Sequence, residues 1–175
     1  MLYEQLKKYW LDSTGLSAVE FALILPVMLS FYFGTIEVSN VMTVERRVTS
    51  VASTTADLVS QATAIGDADM ADVFTAATAI LDPFPGVAVQ IVVSSVIDDN
   101  GATEVDWSDG HNAAPRAQGA PMALPQGLIG PGGSVIVAEV TYAYDSPFAD
   151  YFIGGVTLTD TFYVKPRRVL QIPRA

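Results

Sequence analysis

The chain has 175 residues, enough for one domain and at most one appended element. Half of them are hydrophobic, and the formal net charge is −10. An acidic chain of this kind argues against nucleic-acid binding, which needs a basic face to neutralise phosphates, and the lack of cysteine excludes disulfides, thiol catalysis and cysteine-held metals.

Residues 1–15 form a short polar leader with Lys7 and Lys8. From Leu16 to Ile36 the only charged residue is Glu20. A helix of this length spans ~31 Å, matching a hydrocarbon core of about 30 Å, so 16–36 reads as a transmembrane segment. Three readings fit the outline. A secretory signal would have a shorter apolar region of about 7–15 residues ending in small residues. An uncleaved signal anchor is the second. The third rests on Gly15-Leu16-Ser17-Ala18-Val19-Glu20-Phe21-Ala22-Leu23, where a glycine precedes the apolar run and a carboxylate and an aromatic follow five and six residues on.

That stretch resembles the processing site of type IV prepilins, and most of all the variant of the tight-adherence (Tad/Flp) pilus system. The resemblance implies that a membrane aspartyl peptidase, a prepilin peptidase, cuts between Gly15 and Leu16, with Glu20 and Phe21 as parts of the same site. A charged side chain at membrane depth costs about 2.5–3.5 kcal/mol on insertion scales, which makes Glu20 a functional candidate. Two roles stand open for it. Glu20 neutralises the new amine of Leu16, on its own chain or on a neighbouring subunit, as an assembly contact. Alternatively it snorkels to the headgroups and favours the positive end of the helix dipole. The flanking bases, Lys7 and Lys8 against Arg46 and Arg47, are nearly balanced, so orientation rests on the resemblance, which places the leader in the cytoplasm and the body outside it.

Beyond Ile36 the helical period continues. Val41, Val44, Val48, Val51, Thr55, Leu58, Ala62 and Ile65 recur at alternating steps of three and four, and no glycine or proline falls between Thr35 and Ile65. The spacing predicts one helix from about Leu16 to about Ile65, with its second part, 37–65, entering the globular body and Gly66 as its stop. The seam packs either on that body or on a partner. A second, shorter helix starts at Asp67, with Met70, Val73, Phe74, Ala77, Ile80 and Leu81 on one face and Pro83 and Pro85 closing it.

The period then drops to two. Val87, Val89, Ile91 and Val93 read as a strand, Asp98-Asp99-Asn100-Gly101 as a hairpin turn rather than a calcium loop, and Thr103–Trp107 as the partner strand. Residues 108–133, with four prolines and six glycines, read as a long irregular surface connection available to partners. Ser134–Tyr144 and Val156–Val164 are the last two strands, joined by the aromatic segment Pro147–Phe152 as a cap on the core. From Val48 to Val164 fourteen acids stand against one base, Arg116, while Lys165, Arg167, Arg168 and Arg174 make the tail basic. The fold class is α+β: a long N-terminal transmembrane and stalk helix, a short second helix, then a small antiparallel sheet, with 66–175 as the extracytoplasmic domain.

This order, with Trp107, the stretch from Ser134 through Tyr142 and Tyr144, and Tyr163-Val164-Lys165-Pro166-Arg167-Arg168, is similar to TadE-like minor pilins (pseudopilins). The resemblance implies a pilin-like subunit of the bacterial inner membrane, partnered by prepilin peptidase, other pilin subunits, the assembly platform and membrane lipid, with possible incorporation into the pilus. No cofactor, metal or small-molecule substrate is expected. His111, the only histidine, stands beside Ser108 and Asp109 on one segment, whereas a triad converges from a rigid scaffold. Neither a nucleophile elbow nor a phosphate loop is present, so an enzyme is not expected. The alternative to a pilus component is a single-pass anchored binding domain outside any filament.

Overall fold

The structure, a computed structural model, describes residues 16–86, 89–99, 101–146 and 155–175. The leader, Gly15, Val87, Asn100 and the aromatic connection at Pro147–Phe152 lie outside the described residues. The elements run α1 (Leu16–Ser60), α2 (Asp67–Ala79), β1 (Val89–Asp99), β2 (Ala102–His111), β3 (Ser134–Tyr144) and β4 (Val156–Val164). This is the expected α+β order. The chain divides into two compact units, Met1–Asn40 and Val41–Ala175.

Within the first unit, α1 is largely apolar and exposed at every position from 16 to 32. Leu23, Phe31 and Tyr32 are 72%, 76% and 62% exposed, and the most hydrophobic 18-residue window of α1 has none of its residues buried. A soluble protein would hide such a surface. The helix is therefore long and apolar enough to cross a membrane. Pro26 lies inside it and removes one backbone donor. The hydroxyls nearby are satisfied within the helix: Ser30 Oγ donates to Pro26 O at 2.8 Å and Thr35 Oγ1 to Phe31 O at 2.8 Å.

In the second unit α1 becomes one-sided. Val44, Val48, Val51, Ala52, Thr55, Ala56 and Val59 are buried, a stripe at helical spacing. The seam is shifted at its end. Leu58 faces out at 37% exposure and Val59 takes its place in the core. The helix also stops at Ser60, short of the expected Ile65. No breaker causes this; the C-terminal tail competes for the backbone. Ile65 N–H donates to Pro173 O at 3.1 Å, Ala175 N–H donates to Ile65 O at 2.9 Å, and Ser60 O accepts from Arg167 N–H at 2.9 Å. Those bonds use groups that a continuing helix would need for itself.

α2 begins where expected. Gly66 N–H donates to the Asp69 carboxylate at 2.9 Å, and Asp67 and Asp69 complement the positive end of the helix. Met70, Phe74 and Ala77 point inward, followed by the buried Leu81.

The four strands form one antiparallel sheet in the order β2-β1-β3-β4. One face, with Ile91, Val93, Trp107, Val140 and Tyr142, joins Val44, Val48, Val51, Val59, Met70, Phe74 and Leu81 in the main core. Burial raises the Tyr142 phenol above its ordinary pKa, with the nearby Tyr144 adding to the effect. The opposite face holds Val96, Val105, Val135 and Val137. Residues from the long connection, Met122 with Ala120, Leu124, Leu128 and Ile129, cover it. The connection is thus part of the fold, and its first residues belong to β2, which is longer than expected.

A bulge separates the two faces of β2. Ser95 pairs with Trp107 but Val96 pairs with Val105, leaving Asp106 extra. Without it Val105 and Trp107 would share a face; with it each fills a different core. The tail completes the main core through Ile172, which is fully buried, and through Trp107 Nε1–H, which donates to Ile172 O at 2.7 Å.

Candidate functional site

The residues singled out at the N-terminus fall on or just before the first turn of α1. Leu16 is its first residue, and Glu20 and Phe21 follow on exposed helix. Leu16 and Glu20 are four residues apart, which puts them one above the other on the same side of a helix. Leu16 is 58% and Phe21 58% exposed, so nothing in the described chain occludes this turn. Gly15 itself lies outside the described residues.

A carboxylate that sequence reasoning passed over stands at the other end of the apolar run. Glu37 is 1% exposed, and neither of its carboxylate oxygens has a hydrogen-bond partner among the described residues. Buried carboxylates are ordinarily paired or hydrogen-bonded. The signal in the sequence was the position of Glu37 as the first charge after Glu20, which marked an end of the span and nothing more.

The Ser108, Asp109 and His111 group sits on β2, not on an irregular loop. Its members have separate partners. Ser108 Oγ bonds with Val93 O and Ser94 Oγ, both at 3.0 Å. Asp109 accepts from Arg174 Nε at 2.8 Å. His111 stacks at 5.4 Å, ring centre to ring centre, with Phe74. Strand alternation places Ser108 on the opposite face from Asp109 and His111.

Three arginines of the body form side-chain ion pairs among the described residues. Arg116 makes a two-point contact with Glu139, Nε–Oε2 2.7 Å and Nη2–Oε1 2.6 Å. That hydrogen bond holds the Arg116 guanidinium above its ordinary pKa, against the opposing effect of burial. Arg174 bridges Asp109, Asp67 at 2.5 Å and Ile65 O at 3.1 Å, and the bond to Asp109 is the main cause of its own raised pKa. Arg167 pairs with Asp57. Two of the tail's four bases, Arg167 and Arg174, are thus bonded to acids elsewhere in the body.

An N-terminal helix of membrane-spanning length and composition, continuing into a small α+β body, defines the class. Within it, residues 15–57 match the model of the TadE-like protein family. This segment is TadE-like, and it links the chain to Tad pilus systems, with pilin-type proteins as the partners that such a system implies. The match ends within α1, so the sheet and tail lie beyond it. No curated protein and no solved structure matches the chain.

Proposed function

We propose that this chain is a minor pilin, or pseudopilin, that takes part in assembling a Tad pilus used in surface adhesion. In this reading prepilin peptidase cuts between Gly15 and Leu16, residues 16–36 hold the product in the inner membrane, and the body lies outside the cytoplasm. The observation that carries the reading is the first turn of α1. The apolar stretch 16–36 of a helix with a TadE-like segment bears its single charge, Glu20, directly one turn from Leu16. Cleavage would leave an amine at Leu16, and Glu20 supplies the opposite charge, either within the chain or between neighbouring subunits. Insertion of a lone carboxylate is costly in lipid, and pairing removes much of that cost. Phe21 adds apolar surface beside the charge and completes the segment read by the peptidase. The chain is a substrate and a building part, with no catalytic role of its own.

The test is the intact mass of the protein extracted from membranes of its native host. A chain beginning at Leu16 is expected, and a chain retaining residues 1–15 would sink the processing claim. Gly15→Leu should leave a full-length precursor in the membrane and impair piliation. Glu20→Ala should still be cut yet assemble poorly; normal filaments from that variant would return Glu20 to a snorkelling role.

A further inference from the structure

The sheet has two edges, and the chain treats them differently. At β2 the outward backbone groups are taken up by the long connection. Val105 N–H donates to Ala120 O at 3.0 Å, Gly119 N–H donates to Val105 O at 2.8 Å, and Met122 N–H donates to Thr103 O at 3.0 Å. At β4 no backbone hydrogen bond reaches the outer edge among the described residues. The hydrogen bond from Thr161 N–H to Asp160 Oδ1, 2.8 Å, shows which groups face outward. By the two-residue period of a strand they are those of Thr157, Thr159, Thr161 and Tyr163.

Open edges are normally blunted by lysines, prolines or bulges. β4 has none of these. It reads Val-Thr-Leu-Thr-Asp-Thr-Phe-Tyr-Val, it pairs with β3 in unbroken register, and Phe162 is 39% exposed. Its one protective device is Asp160, whose carboxylate occupies the Thr161 N–H. We infer that the β4 edge is a docking site for an extended strand of a second protein, with a lysine or arginine facing Asp160.

The charge of Asp160 selects the occupant. It lies at the centre of β4, so two copies paired antiparallel along this edge would bring Asp160 against Asp160. Like charges opposed across strands are destabilising. A base on the incoming strand instead draws the Asp160 carboxylate away and releases the Thr161 N–H to the new ladder. On the same face the neighbours of Asp160 are Leu158 and Phe162, which fit apolar residues two positions either side of that base. On the other face Thr157, Thr159 and Thr161 fit threonine or similar β-formers. The partner strand thus alternates apolar, basic, apolar on one face and hydroxylated on the other.

The experiment uses the full chain in detergent micelles and two synthetic probes, Thr-Val-Thr-Lys-Thr-Val-Thr and its glutamate-centred counterpart. Amide exchange of Thr157, Thr159, Thr161 and Tyr163 should slow with the lysine probe. The lysine probe should bind about threefold tighter than the glutamate probe, and Asp160→Asn should abolish that preference. Thr159→Pro removes an outward N–H at an edge position that the fold tolerates, and it should prevent protection. Unchanged exchange at these four amides, equal protection at the β2 edge, binding undiminished in Thr159→Pro, or protection appearing in the chain alone as its concentration rises would overturn the assignment. The result does not depend on cleavage at Gly15, so it stands or fails apart from the proposed processing.

Discussion

Gly110→Ala should be the most damaging single-methyl change in the body. An ideal Cβ at Gly110 would sit 2.1 Å from Ala113 O, 3.1 Å from Ala113 C and 3.2 Å from Pro115 N. All three are backbone atoms, so no side-chain rotation relieves the clash. Residues 113–115 must move by more than 1 Å to reach ordinary contact, and both ends of that stretch are fastened. Asn112 Nδ2 donates to Val89 O at 2.9 Å, and Arg116 N–H donates to Ser108 Oγ at 3.1 Å. Overpacking alone costs about 1–3 kcal/mol, and each hydrogen bond lost adds about 1 kcal/mol, so ~3 kcal/mol is expected. For a body of this size that corresponds to a fall of about 10 °C in midpoint. Thermal unfolding of the detergent-solubilised chain, followed by circular dichroism, measures it. Gly34→Ala is the control, because nothing lies within 4 Å of a Cβ there. A Gly110→Ala midpoint indistinguishable from that of the unaltered chain would refute the close return of 113–115 over β2.

Trp107→Phe keeps the ring in the core but loses the donor to Ile172 O, and should cost about 1 kcal/mol with faster amide exchange in residues 167–175. Arg174→Leu removes the links to Asp109, Asp67 and Ile65 O at once; chemical denaturation should show a loss of about 1–2 kcal/mol, and limited proteolysis should begin at the tail. Arg116→Ala breaks a pair that is 44% and 27% exposed, so its cost should stay below about 1 kcal/mol and shrink with added salt. Glu37→Gln removes a buried, unpartnered charge and should raise the unfolding midpoint, while a lower midpoint would mean that the carboxylate is needed where it stands.

The parts of the fold that were legible in advance are those where one local period decides the outcome. The alternation of Ile136, Ala138, Val140 and Tyr142 placed β3 and its core face, and Asp67 with the apolar face behind it placed α2. The parts that were not legible depend on distant partners. Nothing between Gln61 and Ile65 forbids helix, and only the returning tail turns Ile65 into a bridge partner of Arg174. Val105 and Trp107 have the spacing of residues sharing a face, and only the bulge at Asp106 separates them. The prolines and glycines of 108–133 marked a loop correctly for most of its length. They did not reveal that Met122, Leu124 and Leu128 would fold it onto the outer face of the sheet. At the candidate site, the spacing of Leu16, Glu20 and Phe21 was visible at once, whereas the burial of Glu37 needed three dimensions.

α1 serves two surroundings with one backbone, and its side chains explain how. Between Leu16 and Ile36 large apolar residues cover every side, which suits lipid and leaves no preferred face. After Glu37 the inward positions narrow to valine, alanine, threonine and serine, small residues that allow close packing. The hydroxyls do not interfere with either task. Ser30, Thr35, Ser50, Ser53, Thr55 and Ser60 each donate to a carbonyl three or four residues back on the same helix. These groups therefore ask nothing of the surroundings, whether those are lipid tails or a packed core, and a serine- and threonine-rich helix can enter both without leaving them unmet. Glu20 and Glu37 cannot be satisfied that way, since a carboxylate offers no donor to a backbone carbonyl. Of the two, Glu20 lies on the exposed stretch of α1, where a group from outside the chain can reach it, whereas Glu37 is buried.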